Sequence, residues 1–321
     1  MTRLFLATLV ALTGIAGAGH AQSWPSKPVR VIVPITAGSA IDIVARATAQ
    51  HLSAALGQPF VVENRPGAGT TIGTAAVASA PPDGYTILFA SAALTTTPTT
   101  VANIPYDVMR DLIPIAPLTN TPLVMATHHG KFKTLADMVA AAKAGRITVN
   151  YATNGYGSAS HFTTERFRLA AGAFPAQPVT FRGTPEAITE IIGDRITFYF
   201  TPMTTVQSLV TEQKLDALAT TGRKRSLALP NVPTTIEAGY PNSDFDFWVG
   251  MFAPAKTPPE IVERLYRETR KISESAEFRK QMAAIGSEPL EPMTQREFSA
   301  YVGAEIVRNA EIAKAAGLKP Q

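Results

Sequence analysis

The sequence predicts an α/β protein of two lobes, each with a mainly parallel sheet flanked by helices. Strand-type hydrophobic runs alternate with amphipathic helical runs along the chain, which is typical of parallel sheets wound with helices. About 300 residues follow an apparent leader. A single hydrophobic core usually holds fewer residues than this, which indicates two domains. A strand, a loop of small residues and a helix start also occur together twice, once in each half, which suggests a small anion held between the lobes.

The first segment, residues 1–21, has the organisation of a secretory signal peptide. Arg3 supplies the positive charge, residues 4–12 the apolar core, and Gly19, His20 and Ala21 a small-x-small cleavage site. No later apolar run is long enough to span a bilayer. The chain has no cysteine, which excludes a lipoprotein anchor, a disulfide framework and a thiol nucleophile. We therefore expect a free periplasmic protein, cleaved near Ala21.

The repeated pattern is the main functional signal. Its first copy is a strand over 29–34 and a loop over 36–40, and its second is a strand over 147–151 and a loop over 154–159. Each loop precedes a helix, so unpaired N–H groups and the positive end of a helix dipole can bind an anion without charged side chains. The candidate ligand-binding residues are Thr36, Ala37, Gly38 and Ser39 in the first loop, and Asn154, Gly155, Tyr156, Gly157, Ser158 and His161 in the second.

The other elements follow in order. The stretch from Thr95 to Pro122 is rich in Pro and Thr and predicts mostly irregular structure, followed by a first crossing strand over 123–126. A return crossing is expected at 249–254, and the remainder is helical from Pro259 to Ala316. Further strands are predicted over 59–63, 85–90, 179–182, 196–200 and 215–220, and further helices over 71–80, 135–144 and 186–192.

Capping-box spacing marks several helix starts, because Ser or Thr stands three residues before Asp or Glu. Asp42 therefore has a structural explanation that we prefer to a catalytic one. The pairs are Ser39 with Asp42, Thr134 with Asp137, Thr234 with Glu237, Thr257 with Glu260, and Thr294 with Glu297.

Other patterns argue against a cofactor, a metal or a nucleic-acid partner. The glycines at 67, 69 and 73 mimic a dinucleotide-binding turn, but the next strand ends without the acidic residue that would hold a ribose. The histidines outside the leader, at 51, 128, 129 and 161, lack metal-ligand spacing. The net charge is +4, and only residues 223–225 cluster basic side chains.

An enzyme is also disfavoured by the sequence. Ser39, His161 and Asp42 can be combined into a triad, but no G-x-S-x-G elbow is present, and Ser39 and Ser158 are better explained as N-caps. Arg182 follows a predicted strand and leaves two alternatives open. It either pairs with a surface acid or forms a bidentate contact with a ligand carboxylate at the cleft.

The sequence resembles, over essentially all of the chain after the leader, the periplasmic solute-binding proteins of tripartite tricarboxylate transporters, the Bug family. The resemblance is carried by short motifs that occur in the family's order along this chain. They are WPSKPVR at 24–30, GQP at 57–59, VENRPGAG at 62–69, PDGYT at 82–86, NY at 150–151, GYGS at 155–158, His161, LPNVPT at 229–234, EAG at 237–239, and WVG at 248–250 with AP at 253–254 and TP at 257–258.

The resemblance implies a type II-like "Venus flytrap" that closes on a small carboxylate and docks on a permease of one large and one small subunit. It implies ligand contacts from Thr36 to Ser39 and from Asn154 to Ser158, and no cofactor. We expect one lobe from residues 22–124 and 247–321 and the other from 125–246, with hinges near 122–123 and 248–250. A monomer is expected, since one lobe pair forms the whole site.

Two departures from the family pattern bear on the ligand. Ala37 and Ser39 stand where the family has glycines, and Thr197 and Thr201 stand where it commonly has Asp. A cleft without those acids suits an ammonium group poorly, so we expect a non-amino carboxylate, in particular a dicarboxylate, with Thr201 among its contacts. Two rival functions remain: a sensor component for a membrane kinase, and an exported serine hydrolase that uses Ser39 or Ser158.

Overall fold

The computed structural model describes residues 24–320 except Arg182 and Glu291, so the predicted leader lies outside the described residues. The described chain is an α/β structure. Its strands are β1 (Val29–Val33), β2 (Phe60–Asn64), β3 (Thr86–Ser91), β4 (Leu112–His128), β5 (Asn150–Thr153), β6 (Gln177–Thr180), β7 (Tyr199–Pro202), β8 (Leu215–Thr220), β9 (Asp246–Pro254) and β10 (Glu288–Pro289). Its α-helices are α1 (Ala40–Leu56), α2 (Thr71–Ala78), α3 (Ala93–Thr100), α4 (Val108–Asp111), α5 (Leu135–Lys143), α6 (Ala159–Ala170), α7 (Thr184–Ile192), α8 (Gln207–Thr211), α9 (Pro259–Glu274), α10 (Ala276–Ala284) and α11 (Gln295–Ala315).

The first sheet has the strand order β10-β4-β9-β3-β1-β2. Strand β1 runs parallel to both β2 and β3, whereas β9 runs antiparallel to β3 and to β4. Buried apolar side chains of β1, such as Val31 and Val33, pack with Val44 and Leu52 of α1. This packing places the loop between β1 and α1 at the carboxyl end of the parallel strands, where open α/β sheets bind ligands.

Strand β4 belongs to two sheets. Its residues up to Pro122 pair with β9, and from Leu123 onward it pairs with β7 and β8, antiparallel to both. Strands β5 and β6 are parallel, and an isolated bridge joins Tyr151 of β5 to Phe198 just before β7. The chain therefore has a mixed sheet system in which β4 changes partners between Pro122 and Leu123.

The prediction of irregular structure from Thr95 to Pro122 is wrong. Helix α3 covers most of the Thr-rich run, and β4 begins at Leu112. Threonine hydroxyls in α3 donate to carbonyls three or four residues earlier, as Thr97 Oγ1 does to Ala93 at 2.7 Å. The prolines of β4 are accommodated because the register with β9 shifts after Pro114 and again after Pro117, which spares hydrogen bonds that proline cannot donate.

Most of the predicted caps form, but one does not. Thr294 and Glu297 make a complete capping box, and Ser39 and Thr134 accept the N–H groups of Asp42 and Asp137. Thr257 caps nothing, because α9 begins at Pro259, as predicted, and its N-cap is Pro258 instead of Thr257. Thr234 and Glu237 exchange the two capping hydrogen bonds around a turn outside any helix.

No helix in the described part of the chain combines the length and the apolar character that crossing a bilayer requires. The longest, α11, has 21 residues and packs Phe298 against the fully buried Trp248, with ring centroids 5.7 Å apart. It alternates buried residues such as Val302 and Asn309 with exposed polar ones, which is the pattern of a helix lying on a protein core.

Candidate functional site

The first candidate loop lies between β1 and α1, with Thr36, Ala37 and Gly38 exposed. Gly38 has φ 80, which glycine adopts without strain. Ser39 is the N-cap of α1. These positions follow from the local sequence, because a small residue and a capping hydroxyl are what a short turn into a helix needs.

Asp42 stabilises this loop by hydrogen bonds, so its role is structural, as the sequence predicts. Its buried carboxylate accepts hydrogen bonds from Gly38 N–H at 2.9 Å, Asn64 Nδ2 at 2.9 Å and Arg46 Nε at 2.9 Å. Burial acts to raise the pKa of Asp42, but hydrogen bonds from Arg46, Gly38 and Asn64 outweigh it and lower the pKa below its ordinary value. Asp42 is therefore an ionised anchor that fixes the loop.

The second candidate loop lies between β5 and α6 and is held by a cluster of hydroxyls. Ser158 is the N-cap of α6 and accepts the N–H of His161 at 3.4 Å. Its hydroxyl also lies 3.0 Å from those of Thr153 and Ser160. Thr153 in turn donates to the carbonyl of Gly155 at 2.9 Å, so the turn is fixed before any ligand arrives.

His161 closes the same loop from the helix side. The N–H of Gly157 donates to His161 Nδ1 at 3.1 Å, which places the proton of the neutral ring on Nε2. Burial lowers the pKa of His161, although the charge of Glu165 opposes that shift. The imidazole is therefore neutral and acts as an acceptor within the loop, and its Nδ1 hydrogen bond is with Gly157 rather than with a serine hydroxyl.

Several N–H groups of both loops point to no protein acceptor. Among the described residues, those of Ala37, Ala40 and Ile41 have no hydrogen-bond partner in the first loop and helix start. In the second, the same holds for Tyr156, Ala159 and Ser160. Unpaired donors are thus present in both loops, but several predicted residues use their N–H groups within the loops, namely Gly38, Ser39, Asn154, Gly155, Gly157 and Ser158.

The remaining candidates have different surroundings. Asn154 is exposed, and its side-chain oxygen accepts a short hydrogen bond from Tyr199 Oη. Thr201 is fully buried in β7, with its hydroxyl 2.9 Å from that of Thr205. Tyr156 is partly exposed, and its ring lies edge-on to His161 at 5.3 Å. Arg182 lies outside the described residues.

A chain of close contacts runs from one loop to the other. Gly73 lies against Pro34, at the start of the first loop, because a Cβ there would come within 2.7 Å of the proline side chain. Gly69 contacts the end of α3, where Thr97 Oγ1 donates to its carbonyl at 3.4 Å. Thr100, the last residue of α3, meets Gly157 of the second loop. The glycine-rich turn thus packs between elements, as the sequence predicts.

Thr100 and Tyr199 are the residues that sequence reasoning missed. Both act on the second loop from elsewhere in the chain, Thr100 by contact with Gly157 and Tyr199 by its hydrogen bond to Asn154. Thr100 carries no local signal beyond its place in a Thr-rich run. Tyr199 lies in a predicted strand next to the candidate Thr201, so its hydroxyl could have been included among the candidate contacts.

Away from the two candidate loops, the described residues form a surface depression but no metal-type cluster of side chains. Within residues 24–320, apart from the two that are not described, no group of three or more His, Asp or Glu side chains could hold a metal ion. A surface depression of about 850 Å³ lies between α6, α11 and residues 241–242, and is lined in part by Leu169, Val307 and Arg308. It is separate from both candidate loops.

Comparison with known proteins identifies the family. The model of the tripartite tricarboxylate transporter family receptor matches residues 44–318. Protein BugT of Bordetella pertussis is 34% identical over 99% of both chains. The solved periplasmic binding protein BugD is 31% identical with a TM-score of 0.75, over 93% of this chain and all of that one.

Two further structures are named with small carboxylates. An R. palustris protein solved with adipate is 28% identical with a TM-score of 0.79, over 93% of this chain and all of that one. MatC of Rhodopseudomonas palustris, solved with bound malate, is 26% identical with a TM-score of 0.75, over 90% of this chain and 99% of that one. The family match and the full-length likenesses confirm both the predicted resemblance and the predicted binding-protein fold. This chain belongs to the tripartite tricarboxylate transporter receptor family, as a solute-binding protein of the Bug type.

Proposed function

We propose that this protein captures a small, non-amino dicarboxylate between two lobes and delivers it to a tripartite tricarboxylate-type permease, without catalysing a reaction. The observation that carries the proposal is that both helix-start loops keep N–H groups without a protein acceptor, those of Ala37, Ala40 and Ile41 in the first and of Tyr156, Ala159 and Ser160 in the second. The carboxylates named with two full-length structural neighbours support the same ligand class. The proposed contacts are Thr36, Ala37, Gly38, Ser39, Asn154, Gly155, Tyr156, Gly157, Ser158, His161, Arg182 and Thr201.

The charges near the loops support an anion over an amino acid. An ammonium group needs a carboxylate or several free acceptors, but Asp42 is already bound by three donors. Glu165, the nearest acid on α6, accepts hydrogen bonds from Tyr151 Oη and Arg168. Thr197 and Thr201 are uncharged. An ionised ligand carboxylate would instead meet N–H groups at two positive helix ends.

The lobes are proposed to be residues 22–124 with 247–321, and residues 125–246. The change of partner along β4 at Pro122 and Leu123 supports this division. A ligand that contacts both loops favours the closed form by its differential affinity, and a permease with a large and a small subunit then reads that form. We further propose export to the periplasm with cleavage near Ala21, and function as a monomer.

The test is a thermal-shift screen of the purified protein against mono-, di- and tricarboxylates and amino acids, after unfolding and refolding to remove co-purified ligand. A ligand at about 100 times its Kd adds about 2.7 kcal/mol of stability, which gives a readily measured shift. A response to plain dicarboxylates with none to aspartate or glutamate is expected. Tighter binding of either amino acid would overturn the ligand class, and turnover of an ester that is lost in Ser39→Ala or Ser158→Ala would indicate a hydrolase.

A further inference from the structure

The C-terminal arm, defined as α11 with residues 316–320, reaches from the first sheet to the second binding loop. At its start, Gln295 Nε2 donates to the carbonyl of Pro114 in β4 at 2.8 Å. Midway, Asn309 Nδ2 donates to Thr95 Oγ1 of α3 at 2.9 Å. A helix of 21 residues is about 30 Å long, enough to span a small domain.

The arm ends on the binding loop itself. After α11 the chain turns at Gly317, with φ 69, and the N–H of Leu318 returns to the carbonyl of Ala313 at 2.8 Å. The next N–H, that of Lys319, donates to Tyr156 Oη at 2.5 Å. Tyr156 thus has its hydroxyl on the arm and its ring on His161, whose Nδ1 holds Gly157.

We propose that the C-terminal arm is a strap that positions the second binding loop through the Tyr156 hydroxyl. Tyr156 is then a positioning residue, and it sets how much of the protein has the loop in its binding-competent form. This inference rests on the proposed function only for its effect on affinity, since the strap itself exists without ligand. Affinity falls in proportion to the competent fraction, so weakening the strap raises the apparent Kd.

Two pairs of variants distinguish the loss of the Tyr156–Lys319 hydrogen bond from the effects of removing any tyrosine hydroxyl or the Lys319 charge. Tyr156→Phe removes the acceptor and keeps the ring on His161, and Tyr266→Phe is its control, because Tyr266 donates to Met293 on α9's side of the first sheet. Lys319→Pro removes the donor N–H, and Lys319→Ala keeps it while removing the same charged side chain. Lys319 is exposed near the chain end, so neither change disturbs the core.

The first measurement is hydrogen exchange at the Lys319 amide in the ligand-free protein. We expect the Lys319 amide to exchange about fivefold more slowly in the wild type than in Tyr156→Phe, because one neutral hydrogen bond gives a ratio of this size. Exchange in Tyr266→Phe should match that of the wild type. The second is calorimetric titration with adipate, where Tyr156→Phe and Lys319→Pro each raise Kd about two- to fivefold. The double variant is expected to match either single one, because both remove the same bond.

The outcomes are distinct from those of the proposed function. Equal exchange at Lys319 in the wild type and Tyr156→Phe overturns the strap, as does an equal change of Kd in Lys319→Pro and Lys319→Ala. If adipate does not bind the wild type, the proposed ligand class loses support, and the exchange rates alone decide whether the strap exists.

Discussion

Gly157 is the residue at which the second candidate loop lies against Thr100, the last residue of α3. A Cβ at this position would lie 2.5 Å from Thr100 Cβ, and its φ is 74. We expect Gly157→Ala to push the loop away from α3 and to weaken dicarboxylate binding at least tenfold, beyond the cost of a strained backbone. Calorimetric titration with the ligand found in the screen measures this effect.

The control for this substitution is Gly130→Ala. Gly130 has a φ of 77 but open space around it, so its substitution measures backbone strain alone, on the order of 1 kcal/mol of stability. Thr100→Gly in the Gly157→Ala background removes the opposing atoms and should recover part of the affinity. Equal affinities of wild type and Gly157→Ala would show that this contact does not matter for binding.

Ser158 combines a structural and a binding role in one hydroxyl. It caps α6, and we expect Ser158→Ala to cost about 1 kcal/mol of stability by that loss alone. If it also contacts a ligand carboxylate, binding weakens by a further 1.5–3 kcal/mol or so, the worth of a hydrogen bond to a charged group. Thr134→Ala removes a comparable cap at α5 and should lower stability without changing Kd. Unchanged affinity in Ser158→Ala would remove Ser158 from the contacts.

At the scale of elements, helices with strong local signals and the crossing strand over 123–126 were predictable, whereas the first part of β4, from Leu112 to Pro122, was not. Ser39, Ser158 and Thr294 mark helix starts by side-chain chemistry close in sequence, so a capping pattern finds them. Strand β4 contains three prolines and depends on pairing with β9, more than a hundred residues away. Register shifts in β4 fall next to prolines, where a backbone N–H donor is missing. The local pattern of Pro and Thr does not reveal these shifts.

The candidate site also has a predictable and an unpredictable part. Both loops were predictable, because small residues before a capped helix are a local pattern. The contacts that connect them were not, because Thr100, Tyr199 and Lys319 come from distant parts of the chain. The sequence therefore predicts which backbone donors are available, whereas tertiary packing decides how they are supported.

Asp246, the first residue of β9, is a titratable group that pairs with Pro122, where β4 changes its partner strands. Burial raises its pKa, although the hydrogen bond from Asn120 Nδ2, at 2.7 Å, and the charge of Arg223 oppose this. Its folded pKa exceeds its unfolded value, so its favourable contribution to stability is full below the unfolded pKa, about 3.9, and is lost as pH rises through the folded pKa. Asparagine mimics the protonated form and avoids this loss.

We therefore expect Asp246→Asn to be more stable than the wild type near neutral pH, by up to about 1 kcal/mol, and the gain to shrink as the pH approaches about 4. Denaturant unfolding at several pH values measures it. Asp137→Asn, at an exposed helix start, should bring no such gain. A loss of stability that grows with pH would mean that Asp246 is held ionised by Arg223.

At the scale of the whole molecule, a buried group of charges joins α6, the segment before β9 and α11. Arg166 is 3% exposed and lies 3.4 Å from Glu305 and 3.8 Å from Asp244, and Asp244 also pairs with Arg308 at 3.1 Å. Burial lowers the pKa of Arg166, while the charges of Glu305 and Asp244 oppose that shift. The group ties parts of the chain that the proposed lobe boundaries separate.

Removing one partner from such a group leaves a buried charge poorly compensated, which costs far more than the group itself contributes. We expect Glu305→Gln to lower the free energy of unfolding by about 2–4 kcal/mol, measured by denaturant unfolding. Glu311→Gln, at an exposed position six residues further along α11, should change it by less than about 0.5 kcal/mol. Adding Arg166→Met to Glu305→Gln removes the stranded cation and should restore part of the loss. A double variant less stable than the sum of both single changes would mean that Arg166 stabilises the fold by its packing and its contact with Asp244 instead.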